Sequence, residues 1–373
     1  MENAPPDERK EKRDEAPEEK EQSFIKDDSL HQKPPEDVFA YNEMRSCADL
    51  FRMYEKDGLF DNPDFQRDFV WTNSQQTKFI DSLVKGYPIP SMCFAFDRVT
   101  RKRTVIDGKQ RMRTIARFLT QEEKPWRLTR LDDVDPAISG KTSEDIRKTQ
   151  PDYFSGVEEH VLPVTVLHCE LEKEEHLSFI FNIFHRLNDG GMRLNNQEIR
   201  NCIFSGPLNN LLRKLDKNKE WRCLNRMEDG NTYRFVKQEL ILRFFAFLYQ
   251  EEEYTRRGMA NFLNNFMNMN RNNDGSSLEE KEKIFERVVS LLFSKIFNKK
   301  ASSKRISANT LYPVMVGIAR NIDMLENMPL SELQNRYYKI EKHELFTARE
   351  GLSVAEVVHE RLHLTQTIFG DSP

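Results

Sequence analysis

The sequence predicts an α+β protein in which a strand-containing first half is followed by an all-helical second half. Three short β-favouring runs, SMCFAFDR, RKRTVIDG and HVLPVTVLHCE, all lie before residue 171. From about Gly206 onward strand signals vanish, and amphipathic segments with helical spacing follow one another. Those segments lie at about 235–249, 259–269, 281–297, 307–319 and 353–368.

A chain of 373 residues is long enough for two modest domains. Residues 1–36 contain mainly Glu, Lys, Asp and Pro, with too few large apolar side chains to offset the entropy of ordering them. We therefore expect a disordered charged tail over 1–36, a mixed domain over 37–205 and a helical domain over 206–373.

Composition excludes several classes of protein. The net charge of -4 gives no global attraction to nucleic acid, so any polyanion contact must be local. The five cysteines lack CxxC spacing, which favours reduced thiols, and no run of about 18 apolar residues could span a bilayer. The N-terminus has no apolar signal segment, so we expect a cytoplasmic protein. P-loop and Rossmann glycine motifs are absent.

Helices and strands alternate through the first half. TNSQQTKFIDSLVKG predicts a helix, because Thr72 and Gln75 have capping-box spacing and apolar residues form one stripe. SMCFAFDR and RKRTVIDG flank a polar turn at Val99 to Lys102 and predict a hairpin whose second strand ends at Asp107. A helix follows directly. The strand HVLPVTVLHCE and the helix EEHLSFIFNIFHRLN come later.

The first candidate site is the segment Asp107-Gly108-Lys109-Gln110-Arg111, where a strand ends and a helix begins. Backbone N–H groups at a helix start attract phosphate, and a glycine lets the backbone approach it closely. Lys109 could supply a point charge, Arg111 a bidentate fork, and Asp107 a ligand for Mg²⁺ or an acceptor that orients water. The alternative is an Asp-Gly turn that precedes a solvated basic helix.

Two further segments are candidates. Gln66 and Arg67 lie among aromatic residues in DFQRDFVW, where an ordered guanidinium suits an anionic or planar partner or simply stacks. HRLNDGGMRLNNQEIRN, residues 185–201, has many hydrogen-bonding groups around one tight turn that could close over a ligand. The alternative to a ligand-binding role is that Asn195 and Glu198 form a capping box for the next helix.

These three segments together resemble the N-terminal domain of GmrSD-type modification-dependent restriction systems. The resemblance runs from about Leu50 to Phe204 and more loosely into the helical half. It implies a ParB/sulfiredoxin-like α+β fold with a small mixed sheet. It also implies that the DGxxR turn binds nucleoside triphosphates (NTPs) and, in several members, hydrolyses them in bacterial antiviral defence.

The family's motifs fall on residues of this chain. The DGQQR motif falls on 107–111, with Lys109 where Gln is commoner, the QR motif on 66–67, and the LNxGGxxLNxQEIRN turn on 187–201. The resemblance implies catalytic roles for Asp107 and Arg111, with Mg²⁺ at Asp107. The implied nucleotide-binding residues are Gln66, Arg67, Asp107, Gly108, Lys109, Gln110, Arg111 and Thr114. Those implied at the second motif site are Asn188, Gly190, Gly191, Glu198, Arg200 and Asn201.

Three hypotheses for function remain open. In the first, the domain hydrolyses an NTP and thereby regulates or recruits DNA cleavage. In the second, it binds nucleotide or DNA without turnover and acts with a nuclease in trans. In the third, the ParB-like domain nicks DNA itself, which the resemblance permits but no residue of the sequence requires. The second half shows no HNH-like pattern, so a separate nuclease subunit is an expected partner, together with the NTP and DNA. An oligomer is compatible with each hypothesis, and a membrane partner is not expected.

Overall fold

The computed structural model describes residues 34–56, 71–120, 126–187, 195–204, 206–227, 235–255, 258–299, 306–347 and 354–371. Within them the fold is α+β, as predicted: strands occur in the first half and helices make up the second. The first-half elements are β1 (Phe39–Ser46), α1 (Cys47–Lys56), α2 (Asn73–Val84), β2 (Met92–Asp97), β3 (Arg103–Asp107), α3 (Lys109–Leu119), α4 (Ser143–Thr149), α5 (Pro151–Glu159), β4 (Val161–Cys169), α6 (Glu174–Leu187) and α7 (Asn196–Ile203).

The described residues of the second half form helices joined by turns, with no strand among them. All five predicted amphipathic segments are confirmed as helices. Its helices are α8 (Pro207–Asp216), α9 (Lys219–Leu224), α10 (Val236–Gln250), α11 (Gly258–Asn270), α12 (Gly275–Leu291), α13 (Ala308–Arg320), α14 (Ile322–Leu325), α15 (Leu330–Lys342), α16 (Glu344–Thr347) and α17 (Ala355–Gly370). None of the helices in the described part of the chain combines the length and apolarity needed to cross a bilayer.

The sheet is small and mixed, as the resemblance implied. Its strand order is β1-β4-β2-β3. The central pair β2 and β4 is parallel, whereas β1 pairs antiparallel with β4 and β3 antiparallel with β2. The predicted hairpin is therefore β2 and β3. No sequence pattern predicts β1, which lies at the opposite edge.

Both faces of the sheet are buried, each against a different layer. On one face Phe94, Val105 and Val166 pack with α1 to α5. On the other face residues such as Cys93 and Ile106 belong to a second core, which includes α6, α7 and the helices of the second half. The alternation follows from the two-residue period of a strand. The sheet thus serves as a wall shared by two apolar cores.

That second core continues past residue 206. Ile180 of α6 and Ile199 of α7 are buried in the same cluster as Phe244 of α10 and Leu362 of α17. The helices that end the first predicted domain therefore pack with the helical half. The division at 205/206 stays a prediction about folding units, because the apolar packing is continuous across it.

Local sequence signals produce the helix starts that the site depends on. The capping box predicted at Thr72 is present: Gln75 N donates to Thr72 Oγ1 at 3.2 Å, and Thr72 N donates to Gln75 Oε1 at 2.8 Å. Helix α2 ends at Val84, before the Tyr87-Pro88-Ile89-Pro90 segment that predicts its end. The chain then passes directly into β2, whose first residue contacts the candidate turn.

Candidate nucleotide site

The Asp107 to Arg111 turn has the strand-turn-helix form that the sequence predicts. Strand β3 ends at Asp107, α3 begins at Lys109, and Gly108 between them is left-handed with φ +97°. A Cβ at Gly108 would lie 2.5 Å from Cγ of Met92, which is fully buried. Both the positive φ and this close approach require a glycine here.

The start of α3 is suited to an anion. Gly108 provides no side-chain hydrogen bond to the helix, and the first turn contains no acidic residue. The first N–H groups of any α-helix lack intrahelical acceptors, and the helix dipole is positive at that end. The turn therefore presents the backbone arrangement that binds phosphate in many proteins.

Arg111 folds back over the turn. Its Nη2 donates to Asp107 Oδ2 at 2.7 Å, and its Nη1 donates to the carbonyl of Pro90. Both terminal nitrogens also lie 3.5 Å from the Ser91 carbonyl. Only 13% of the Arg111 side chain is exposed, against 35% of Asp107. The guanidinium thus ties the helix start to the segment before β2, and an incoming anion would have to share or replace these acceptors.

The remaining residues of this motif have different environments. Gln110 accepts a weak hydrogen bond from Trp71 N through Oε1 at 3.5 Å. Lys109 is partly buried. Thr114 is fully buried, and its hydroxyl donates to the Gln110 carbonyl at 2.7 Å. The Thr114 hydroxyl therefore forms its hydrogen bond within α3, and the side chain does not line the turn.

Gln66 and Arg67 lie outside the described residues, so their predicted role stays a prediction. The end of their segment is described and adjoins the candidate turn. Trp71 contacts Gln110, and Gln76 Nε2 of α2 donates to the Trp71 carbonyl at 2.9 Å. The start of α2 thus lies beside the start of α3.

The third segment is described only in part: Asn188, Gly190 and Gly191 lie outside the described residues. Its capping box is confirmed. Asn195 N donates to Glu198 Oε2 at 2.7 Å, and Glu198 N donates to Asn195 Oδ1 at 2.9 Å. Helix α7, which this box starts, packs against β3, so the described part of the segment lies next to the strand that ends at Asp107.

Arg200 and Asn201 have an environment that the sequence analysis did not expect. Arg200 is completely buried; its Nη1 donates to Glu239 Oε2 at 2.8 Å and its Nε to Asn264 Oδ1 at 2.9 Å. Asn201 Nδ2 donates to Gln238 Oε1 at 2.9 Å. Their contacts are with α10 and α11, so in this structure both residues anchor α7 to the helical half and neither faces a solvent-accessible site.

Glu239 is the centre of this buried network. Burial alone would raise the pKa of its carboxyl, but Arg243 and Arg200 together lower it below the ordinary value. Arg243 Nη2 donates to Glu239 Oε1 at 2.6 Å. One signal could have revealed the network: the polar run Lys237-Gln238-Glu239 inside the otherwise apolar helix VKQELILRFFAFLYQ. A carboxylate in such a position needs a buried cationic partner.

The turn offers one carboxylate for a metal ion. Mg²⁺ in nucleotide sites is commonly held by one or two carboxylates together with phosphate oxygens and water, so Asp107 fits a phosphate-bound Mg²⁺. The described ranges contain no group of three or more His, Cys, Asp or Glu placed to hold a metal without such a ligand. Any Mg²⁺ at this turn would therefore depend on phosphate for most of its coordination.

The fold and the turn define an α+β protein with a helix-start site of the kind that accepts phosphate. Residues 47–205 match the family model of the GmrSD restriction endonuclease, N-terminal domain. This part of the chain is therefore similar to the N-terminal domain of a restriction endonuclease. The matched span begins directly after β1 and includes the DGKQR turn. No curated protein and no solved structure is detectably similar to the chain.

Proposed function

We propose that the DGKQR turn binds a nucleoside triphosphate with Mg²⁺ and hydrolyses it, and that this step regulates or recruits DNA cleavage by a bacterial restriction system in the cytoplasm. One observation carries the proposal. The left-handed Gly108, which has no side chain to cap the helix, places the first turn of α3 directly beside the Asp107–Arg111 pair. Backbone donors, a cation and a carboxylate thus converge on one point.

The residues at this point suit the parts of phosphoryl transfer. Backbone N–H groups at the helix start and the Arg111 guanidinium would bind phosphate oxygens, because charge-assisted bidentate hydrogen bonds are among the strongest in proteins. A bound Mg²⁺ would neutralise charge on the phosphates. Catalysis of this reaction depends mainly on positioning and charge neutralisation, which this small set of groups can provide.

The Asp107–Arg111 ion pair suggests how the site responds to its ligand. Arg111 is held by Asp107 at 2.7 Å and by backbone carbonyls. A phosphate that takes over the guanidinium would release the Asp107 carboxylate, which could then contact the metal ion or orient the attacking water. Nucleotide binding and the activation of Asp107 would in this way be a single exchange of partners.

The test is to measure binding of the four NTPs and release of phosphate by the full chain, with and without modified DNA. Arg111→Ala should weaken NTP binding by at least about tenfold, since a hydrogen bond to a charged group contributes about 1.5–3 kcal/mol. Asp107→Asn should retain binding and lose phosphate release. Wild-type affinity and turnover in the Arg111→Ala protein would refute the proposal.

A matched control is available in the same domain. Arg52 pairs with Asp49 on the exposed side of α1, also through a guanidinium and a carboxylate close in sequence. Arg52→Ala removes an arginine from an ion pair without touching the turn. It should bind and hydrolyse NTP as the wild type does.

The rival functions have separate outcomes in the same assays. Tight NTP or DNA binding with no phosphate release under any condition would favour a binding module that acts with a nuclease in trans. Metal-dependent nicking of plasmid DNA by the purified chain would favour the ParB-like nuclease. The turn's single carboxylate is the observation that ranks the nuclease below the NTPase, because metal-dependent nuclease centres use several metal ligands.

A further inference from the structure

A row of aromatic and basic side chains crosses the sheet at the end opposite the DGKQR turn. Strand pairing aligns Arg103 of β3 with Phe96 of β2, Phe96 with His168 of β4, and His168 with Phe39 of β1. Each of the four strands thus contributes one residue. We name Arg103, Phe96, His168 and Phe39 the hairpin-end platform. It lies about 17 Å from Gly108, the length of the five residue steps from Arg103 to Gly108.

The rings of the platform contact one another across the sheet, stacked at one pair and tilted at the next. Phe39 stacks on His168 with centroids 4.7 Å apart, and Phe96 lies 4.8 Å from the same imidazole. The guanidinium of Arg103 lies over the Phe96 ring at 5.0 Å. Phe39 is 51% exposed although it is a large apolar side chain. Exposed apolar side chains that adjoin one another, with polar residues around them, are typical of binding surfaces.

Cations surround this surface. Arg98, Arg101 and Lys102 line an open cleft of about 660 Å³ together with Phe96, Arg103 and His168. Arg98 pairs with Glu170 at 2.7 Å, whereas Arg101 and Lys102 are exposed. The excess charge of the cleft is therefore positive in a protein whose net charge is -4.

The turn that carries these cations is held firmly. The Asp97 carboxylate is 2% exposed and accepts hydrogen bonds from Thr100 Oγ1 at 2.6 Å and from Val99 N at 3.3 Å. Asp97 N donates to the Lys102 carbonyl at 2.9 Å, and Leu171 N also donates to the carboxylate. A turn ordered in advance loses less entropy when a ligand binds.

His168 suits a stacking role. Burial first, and then the neighbouring Arg98 and Arg103, lower the pKa of its imidazole below the ordinary value. The lowered pKa favours the neutral form of the ring. A neutral imidazole does not repel the arginines beside it, and His168 is partly exposed among the rings of the platform.

We propose that the hairpin-end platform binds a segment of single-stranded DNA, whose bases stack on Phe39 and His168 while its phosphates lie along Arg101 and Lys102. Stacking on aromatic side chains beside a basic groove is how proteins bind unpaired strands, because only an unpaired base exposes its flat face. In a duplex those faces are covered by neighbouring base pairs. The choice of DNA over RNA rests on the proposed function in a restriction system.

The test measures fluorescence anisotropy of a labelled single-stranded DNA of about 12 nucleotides with the full chain, within the usual site sizes for such proteins. Phe39→Ala should weaken binding about tenfold, the loss expected when one stacked base is released. The double variant Arg101→Ala/Lys102→Ala should weaken it at low salt. It should also flatten the dependence of log K on log salt by about 1.4, since each phosphate contact on a single strand contributes about 0.7.

Matched control variants come from the helical half. Tyr338→Ala removes an aromatic side chain that is 58% exposed on α15. Lys217→Ala/Lys219→Ala removes two exposed cations before and at the start of α9. Both controls should bind single-stranded DNA as the wild type does. Thermal unfolding by circular dichroism verifies that every variant is folded.

Four results would overturn the proposal: no binding of single-stranded DNA by the wild type, wild-type binding by Phe39→Ala, equal losses in the platform and control variants, or tighter binding of duplex DNA or single-stranded RNA. The NTPase proposal is tested independently of this one. Arg111→Ala should keep wild-type affinity for the oligonucleotide, and a wild type without NTP binding could still bind it through the platform.

Discussion

Gly108→Ala tests the geometry of the candidate turn most directly. The substitution places a methyl group on a residue with φ +97° and sets that carbon 2.5 Å from Cγ and 2.9 Å from Sδ of Met92. Met92 is fully buried at the start of β2, so its side chain cannot swing into solvent. The turn and the first residue of the strand must move apart, or Met92 must leave its rotamer.

The magnitude follows from two costs and one gain. An L-residue in the left-handed region costs roughly 1–2 kcal/mol, and forcing an extra carbon into packed surroundings costs about 1–3 kcal/mol. Alanine also lowers the conformational entropy of the unfolded chain, which offsets about 0.4–1 kcal/mol of this loss. We expect a net loss of about 3 kcal/mol in the free energy of unfolding, and a weaker affinity for NTP because the helix start is displaced.

Gly86→Ala separates the two costs. Gly86 also has a positive φ, +68°, but a Cβ there meets no atom within 4 Å. It should lose only the backbone contribution, about 1 kcal/mol. Urea unfolding followed by circular dichroism measures both variants. If Gly108→Ala is no more destabilising than Gly86→Ala, the close packing of the turn on Met92 is wrong, and with it the reason given for a glycine at this position.

Three further predictions concern stability, each read from chemical or acid unfolding. Arg200→Ala should cost about 3 kcal/mol, because it removes one partner of the buried Glu239 carboxylate while a second arginine remains; a loss below about 1 kcal/mol would contradict the network. Thr72→Ala should cost about 1 kcal/mol through the lost capping box, and Thr72→Ser should restore most of it. Lys173 above all lowers the pKa of Asp37 to about 2. The ionised Asp37 carboxylate therefore stabilises the fold fully above the unfolded pKa of about 4, and this stabilisation disappears as pH falls through 2. The difference in free energy of unfolding between wild type and Asp37→Asn should fall to zero between about pH 4 and pH 2 and stay at zero below it.

The elements that the sequence predicts well are those with signals inside a few residues. The boxes at Thr72 and Asn195 are local patterns of four residues, and the structure forms both. The hairpin of β2 and β3 is also local, because its turn joins neighbouring strands. In each case the interaction that stabilises the element is made by residues close along the chain.

Strand β1 was missed because its stabilising partner is distant. Apolar and polar residues do not alternate regularly in the segment FAYNEMRS. It pairs with β4, more than a hundred residues later, from Phe39 opposite His168 to Ser46 opposite Val161. An edge strand with much exposed surface carries little hydrophobic pattern of its own. Its existence depends on a pairing that sequence periodicity does not contain.

The same contrast holds at the candidate site: contacts between residues close in sequence are predictable, and contacts between distant residues are not. Asp107, Gly108 and Arg111 come together because they lie within five residues at a strand-to-helix turn. Arg200 and Asn201 looked like ligand-binding groups only because their partners, on α10 and α11, are 37 to 64 positions away. Polar residues near a tight turn can equally serve an interior contact, and only the tertiary packing decides which.

The shared sheet also bears on how this protein can be divided for experiment. A fragment cut at the family match, residues 47–205, would lack β1 and would leave the β4 edge unpaired. It would also bare the face that carries Cys93 and Ile106, since the helices that complete that core come after residue 205. The range that matches the family model and the unit that completes both cores are therefore different in this chain.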